Sequence, residues 1–219
     1  MPRFSFLRLV LSVAALATAG CATATREPPN IQPLKMKIRA YVDSGDYQRD
    51  IVAVAARART WVEDRAAKGG EKLTVVLDFD ETLISNWPLI SAQDFGFVVR
   101  EWNRWVEEAK APAIESVRDV YRAARRRGVN VIVVTGRAES VRAGTERNLR
   151  AIDCVDYAEL ICKPDDQKGT SAAFKTAVRK KLAAAGWTII ANIGDQDSDL
   201  VGGYAEQTFK LPSPFYLTE

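Results

Sequence analysis

Leu73-Thr74-Val75-Val76-Leu77-Asp78-Phe79-Asp80-Glu81-Thr82-Leu83 is the stretch on which the fold turns. A run of apolar and β-branched residues leads straight into acid, as in a buried parallel strand with a charged tip. Asp78 and Asp80 lie two apart, and Thr82 follows two further on. Side chains alternate along a strand with a period of two. Both carboxylates therefore turn to one side if the extended geometry continues that far. Open parallel sheets bind ligands just beyond the carboxyl ends of their strands. Two carboxylates about 4 Å apart repel by about 4 kcal/mol at an effective dielectric of 20. Such a pair calls for a cation or a shared proton. One Asp alone would read as a strand entering a solvated turn; Asp-x-Asp-x-Thr on this run reads as a site.

The same pattern recurs downstream. A second buried strand, 129–134, ends in Thr135-Gly136-Arg137. A hydroxyl and a glycine amide there, beside a helix N-terminus, can donate to a phosphoryl oxygen. Alone, the triplet would equally be an ordinary strand-to-helix turn. A third strand is expected over 158–162. A fourth, 188–193, ends in Gly194-Asp195-Gln196-Asp197-Ser198-Asp199-Leu200, a second acidic tip behind a glycine that permits close approach. The last strand is 208–211. Helices are expected over 44–68, 112–127, 139–150 and 171–185, each ending near a glycine or at a change of periodicity. Alternating strands and helices specify an α/β fold with a mainly parallel sheet flanked by helices. Lys175 lies near the start of the 171–185 helix, where it is either a solvated lysine or a group for the site.

Residues 85–111 are rich in rings: Trp87, Phe95, Phe97, Trp102 and Trp105. They read either as core or as a small cap, partly helical over 94–110, whose rings line a substrate pocket. Residues 1–20 have the form of a secretory signal, with Arg3 and Arg8 ahead of a short apolar stretch at 9–16. That stretch is too short to span a bilayer. Two endings compete: Ala17-Thr18-Ala19 suits cleavage to a soluble exported protein, and Thr18-Ala19-Gly20-Cys21 resembles a bacterial lipobox that lipidates Cys21. Residues 21–35 carry Pro28, Pro29 and Pro33 and read as a tether. The folded domain is expected over 36–219. Cys154 and Cys162 could pair in an exported chain, provided a turn brings them together.

The 219-residue chain is 47% hydrophobic and 27% charged, so it can build one substantial core. It has 31 basic and 28 acidic residues; without Arg3 and Arg8 the balance is 29 to 28. That leaves no electrostatic footprint for a nucleic acid polymer. It contains no histidine, which excludes Ser-His-Asp and Cys-His catalysis, imidazole zinc sites and histidine-nucleophile phosphatases. Proton transfer falls to carboxylates, Lys, Tyr or Cys.

Taken in order, Asp78-x-Asp80-x-Thr82, Thr135-Gly136-Arg137, Lys175 and Gly194-Asp195-x-x-x-Asp199 resemble the four motifs of the haloacid dehalogenase (HAD) superfamily. The finer strings are Asp-Phe-Asp-Glu-Thr-Leu at 78–83, Val-Thr-Gly-Arg at 134–137, Phe-Lys-Thr at 174–176, Gly-Asp-Gln-Asp-Ser-Asp-Leu at 194–200 and Lys-Leu-Pro-Ser-Pro at 210–214. They are similar to the subfamily IIIB acid phosphatases, which include bacterial class C lipoproteins and plant relatives. The resemblance covers about 36–219 and implies a HAD-like Rossmannoid sheet. It implies Asp78 as the nucleophile, and Asp80 as the acid toward the leaving group and then the base toward water. Thr135 and the Gly136 amide would hold phosphoryl oxygens, and Lys175 would neutralise charge. Lys163 is the rival lysine, but the Phe-Lys-Thr context and Arg179 favour Lys175. Mg²⁺ would bind Asp78, the Asp80 backbone carbonyl, Asp195 and, directly or through water, Asp199. Hard carboxylate oxygens suit that ion.

The implied activity is hydrolysis of phosphate monoesters, with nucleoside monophosphates among the candidates, through an aspartyl-phosphate. Asp80 argues for phosphatase over dehalogenase chemistry, because expelling a halide needs no acid. The alternatives are a storage-like phosphate-binding protein with weak catalysis, or phosphotransfer to an alcohol. The implied location is a lipid-anchored outer-membrane protein facing the periplasm, or a soluble periplasmic one.

Overall fold

In the computed structural model the described residues are 27–218. The signal segment and Cys21 lie outside them. Gln32–Asp43 (α1) and Asp46–Ala67 (α2) precede the first strand, Leu73–Leu77 (β1). The helix α1 begins inside the 21–35 stretch expected to be tether. Pro33 stands in its first turn, where a missing N–H is not needed. No α1 residue is fully buried, though Ile38, Tyr41 and Val42 rest against the core.

After β1 come two short helices, Trp87–Ala92 (α3) and Val99–Glu108 (α4), then Glu115–Arg126 (α5). The second strand, Asn130–Ala138 (β2), runs further than the 129–134 expected and contains Thr135-Gly136-Arg137. Its pairing with the next strand becomes irregular between Thr135 and Ala138. A 3₁₀ turn, Glu139–Val141, leads into Arg142–Ala151 (α6). Glu159–Lys163 (β3), Ser171–Ala184 (α7), Thr188–Gly194 (β4), Asp197–Leu200 (α8) and Thr208–Lys210 (β5) complete the order.

The sheet order is β3-β2-β1-β4-β5, and every pairing between these strands is parallel. Helices cover both faces, so the central strands are apolar throughout instead of alternating. Val75 and Leu77 of β1 and Val131 and Val133 of β2 join the larger core, with Ile51, Ala55 and Val62 of α2 and Val117, Val120 and Ala124 of α5. Val76 of β1 and Ile132 and Val134 of β2 face the other way, onto Phe174, Val178 and Leu182 of α7. The chain leaves β1 through β2 to the β3 edge, then crosses back to β4 on the other side of β1. Such a reversal opens a crevice at the carboxyl ends of the strands. Asp78, Gly136 and Asp195 all line the cavity that lies there.

Cys154 and Cys162 are both free and buried. Cys154 follows α6 and Cys162 lies within β3, and burial pushes each thiol up to about 11. No disulfide joins them.

Candidate active site

Strand β1 stops at Leu77, but Asp78 still donates its N–H to Ile193 O of β4 (2.9 Å). The chain then folds back: Leu83 and Ile84 donate to Phe79 O, and Glu81 takes a left-handed φ of 52°. This tight turn directs both Asp78 and Asp80 into one cavity of about 660 Å³. Both carboxylates reach the cavity, but through this turn and not through a continued strand.

The two aspartates have different partners. Asp78 is buried; Lys175 Nζ donates to its Oδ1 at 2.5 Å and Thr82 Oγ1 to its Oδ2 at 3.0 Å. Asp80 is gripped by Arg137: Nε lies 3.0 Å from Oδ2 and Nη2 lies 2.7 Å from Oδ1. Asn86 Nδ2 adds a third donor at 2.8 Å. The guanidinium is fully buried and lies over the Phe79 ring, 4.7 Å from its centroid, and the Trp102 ring, at 5.3 Å. Fork-on-carboxylate geometry and ring contact both suit arginine and would be lost with lysine.

Lys175 reaches the site because it lies on the same buried face of α7 as Phe174, Val178 and Leu182, near the end of the helix that meets the strand tips. Four residues on, Arg179 donates to the carbonyls of Asp199 (2.5 Å), Gly203 (3.0 Å) and Val201. This pins the loop that carries Asp199. Asp199 Oδ1 takes a second bond from Lys175 Nζ (2.5 Å), and its Oδ2 accepts from Gln196 N (2.8 Å). Gly194 is required here: a Cβ on it would lie 2.5 Å from Asp199 Cβ.

Asp78, Asp195 and Asp199 each offer a carboxylate oxygen, and these three lie within 4.8 Å of one another. Asp78 and Asp199 both bond the Lys175 ammonium, and the Asp195 carboxylate lies beside theirs. Burial and the Asp199 charge push Asp195 up to about 7, and burial pushes Asp78 the same way against the pull of Lys175. Lys175 stays protonated: burial opposes its charge, but Asp78 and Asp199 together outweigh it. A divalent cation fits this donor set, which is all hard oxygen and holds an excess of negative charge.

Above these carboxylates the cavity is lined by Leu89, Ile90, Phe95, Phe97 and Trp102 of the 85–111 segment. The rings divide between the two readings. Trp87 stacks on Phe215 (5.0 Å) and Trp105 donates to Asn86 Oδ1 (2.7 Å), so these support the site from behind. Phe97 is 70% exposed and leans on Trp102 at 5.9 Å, at the cavity wall.

The profile described as HAD superfamily, subfamily IIIB (Acid phosphatase) matches residues 10–219. The chain belongs to this family. It is thus a phosphomonoester hydrolase of the acid phosphatase class. Acid phosphatase 1 of Solanum lycopersicum is 32% identical over 184 residues, covering 82% of this chain and 72% of the relative. The stem 28 kDa glycoprotein of Glycine max is 33% identical, with 81% and 72% covered. Vegetative storage protein 1 of Arabidopsis thaliana is 29% identical, with 85% and 73% covered. Among solved structures, the class C acid phosphatase from Bacillus anthracis shares the fold with a TM-score of 0.71. Its identity is 20%, and 84% of this chain and 85% of that one are covered.

In this acid phosphatase Asp78, Lys175, Asp195 and Asp199 meet as the motif order implied. The Asp80 carboxylate stands apart from that cluster, toward Arg137. Gly136 lines the cavity, whereas Thr135 is buried beneath it and accepts from Arg137 N at 3.1 Å. Lys163, the rival lysine, points instead to Gly169 O at 3.5 Å. Sequence reading gave no role to Arg137, Glu81, Asn86, Ser213 or Tyr216. All but Asn86 and Tyr216 sat inside strings already quoted, but Arg137, Ser213 and Tyr216 find their partners far away in the chain.

Proposed function

We propose that this protein is a Mg²⁺-dependent acid phosphatase that hydrolyses phosphate monoesters through a phosphoryl group carried on Asp78. The observation that carries this reading is the separate bonding of the two aspartates in one cavity. Asp78 is immobilised by Lys175 and Thr82 with its carboxylate toward the cavity, as an attacking group must be. Asp80 is partly exposed and lines the same cavity, as a group that passes a proton between leaving group and water must, while Arg137 fixes its orientation. In this reading Asp78 displaces the alcohol from phosphorus while Asp80 protonates the departing oxygen. Asp80 then takes a proton from the water that releases phosphate. Lys175 and the Gly136 amide offset charge on the phosphoryl oxygens, where phosphoryl transfer depends most on positioning.

Asp78, Asp195, Asp199 and the Asp80 carbonyl would hold the cation. When bound, Mg²⁺ supplies a counter-charge to the phosphoryl oxygens. The apolar wall with Phe95, Phe97 and Trp102 suits a leaving group with a flat face, including that of a nucleoside monophosphate. Release of phosphate from p-nitrophenyl phosphate and from a nucleoside monophosphate, with Mg²⁺ and with EDTA, tests the reading. Both are expected to be hydrolysed, and EDTA to stop both. No hydrolysis with Mg²⁺ would leave the storage-like alternative that the Arabidopsis relative brings to mind. Adding an alcohol to the same assay separates hydrolysis from phosphotransfer.

We further propose that the chain is exported and carries lipid on Cys21, as an outer-membrane protein facing the periplasm. A short apolar signal ending at Gly20-Cys21, followed by a proline-bearing stretch, supports this. Among the described residues no helix is long and apolar enough to cross a membrane. Detergent partitioning of wild type against Cys21→Ser is the check. Wild type is expected in the detergent phase and the variant in the aqueous phase. Wild type in the aqueous phase would favour the soluble periplasmic form.

A further inference from the structure

The segment after β5 crosses the acidic tips of both β1 and β4. Its start is tied to β4: Leu211 N donates to Gly194 O at 2.9 Å. Pro212 and Pro214 flank Ser213, and proline restricts both its own φ and the residue before it, so the Ser213 backbone is pre-set. Ser213 Oγ donates to Asp195 Oδ2 at 2.7 Å. Gln196 Nε2 donates to the same oxygen at 2.7 Å and also to Ser213 Oγ. Both donors fall on Oδ2 and neither on Oδ1.

Two further anchors fix the register of the segment. Phe215 is buried, stacks on Trp87 at 5.0 Å and meets Tyr47 edge-on at 5.1 Å. Tyr216 Oη donates to buried Glu81 Oε2 at 2.5 Å, next to Asp80. Thr218 N closes the loop on Gln196 Oε1 at 3.2 Å.

We propose that Ser213 is a positioning residue that sets the Asp195 carboxylate for the divalent cation. With Oδ2 engaged by two donors, the carboxylate cannot rotate freely, and Oδ1 is left for the ion. The inference rests on Asp195 being a ligand, as read above. Outer hydrogen bonds to metal ligands typically contribute 10–100-fold in metal affinity.

The test is direct titration of Mg²⁺ into the full, EDTA-stripped and dialysed protein by calorimetry, with thermal melts in EDTA and in Mg²⁺. Ser213→Ala is expected to weaken Mg²⁺ binding about 10–100-fold. Its Tm in EDTA should stay near that of wild type, because Gln196 Nε2 still serves Oδ2. The rise in Tm that Mg²⁺ produces should shrink, since it scales with affinity. Ser213→Thr, which keeps the hydroxyl, should bind as wild type does. A purely structural serine would lower Tm in EDTA and leave the Mg²⁺ Kd unchanged; that result overturns the proposal. If wild type binds Mg²⁺ and is active while Ser213→Ala binds equally well, only the positioning role falls. If wild type binds no Mg²⁺, the metal reading falls and the positioning role with it.

Discussion

Asp78→Asn is expected to lose turnover by a factor on the order of 10⁴ to 10⁶, the range seen when a member of a concerted attacking group is removed. An amide is a poor nucleophile toward phosphorus and a weaker ligand for a hard cation. The fold should survive. Lys175 keeps Asp199 at 2.5 Å, so its ammonium remains paired. The substitution also removes one of three mutually repelling buried carboxylates. The Tm in EDTA should therefore match or exceed that of wild type, while the increase in Tm given by Mg²⁺ falls. Rapid quench with ³²P-labelled ester should label wild type on Asp78 and leave Asp78→Asn unlabelled. Label on another residue, or turnover within tenfold of wild type, would remove Asp78 from the role of nucleophile.

The parts of this site that the sequence revealed are those written in local pattern. The strand β1 is legible because covered faces demand an unbroken apolar run, and its acid tip breaks that run abruptly. Lys175 is legible through its neighbours: Phe174, Val178 and Leu182 define the buried side of α7. The helix α1 was hidden for the opposite reason. It has no fully buried residue, and Pro28 and Pro29 before it and Pro33 in its first turn give the stretch the composition of a linker. It is held instead by contacts made elsewhere in the fold. Lys35 and Arg39 bond the Asp94 carboxylate, and Arg39 lies 5.3 Å from the Phe95 ring centroid.

Partnerships across the chain were hidden too. Arg137 and Asp80 are 57 residues apart, and Tyr216 and Glu81 are 135 apart. No periodicity encodes such pairs; only the sheet order, with β2 and β4 flanking β1, brings them together. The left-handed backbone at Glu81 was equally invisible, since a glutamate does not announce a positive φ.

The Arg137 grip sharpens what Asp80→Asn should do. Alanine at this position would leave a buried guanidinium without its counter-charge, a loss of about 3–5 kcal/mol that would confuse chemistry with stability. Asparagine keeps an oxygen that can accept from Arg137 and retains the backbone carbonyl assigned to the cation. Mg²⁺ binding should therefore persist, and the loss should fall on proton transfer, about 10²–10⁴-fold in rate. It should also depend on the leaving group. p-Nitrophenolate departs with little protonation, so its ester should still phosphorylate Asp78. Release of the phosphoryl group needs the same residue as base, so labelled enzyme should accumulate. An alkyl phosphate needs the proton at the first step and should barely react. Quenched reactions with the two labelled esters, followed by hydroxylamine treatment and mapping of the label, make the comparison. Equal slowing with both esters, or no accumulation of label from the nitrophenyl ester, would take the acid and base roles away from Asp80. Arg137 would then be holding a carboxylate whose task is structural.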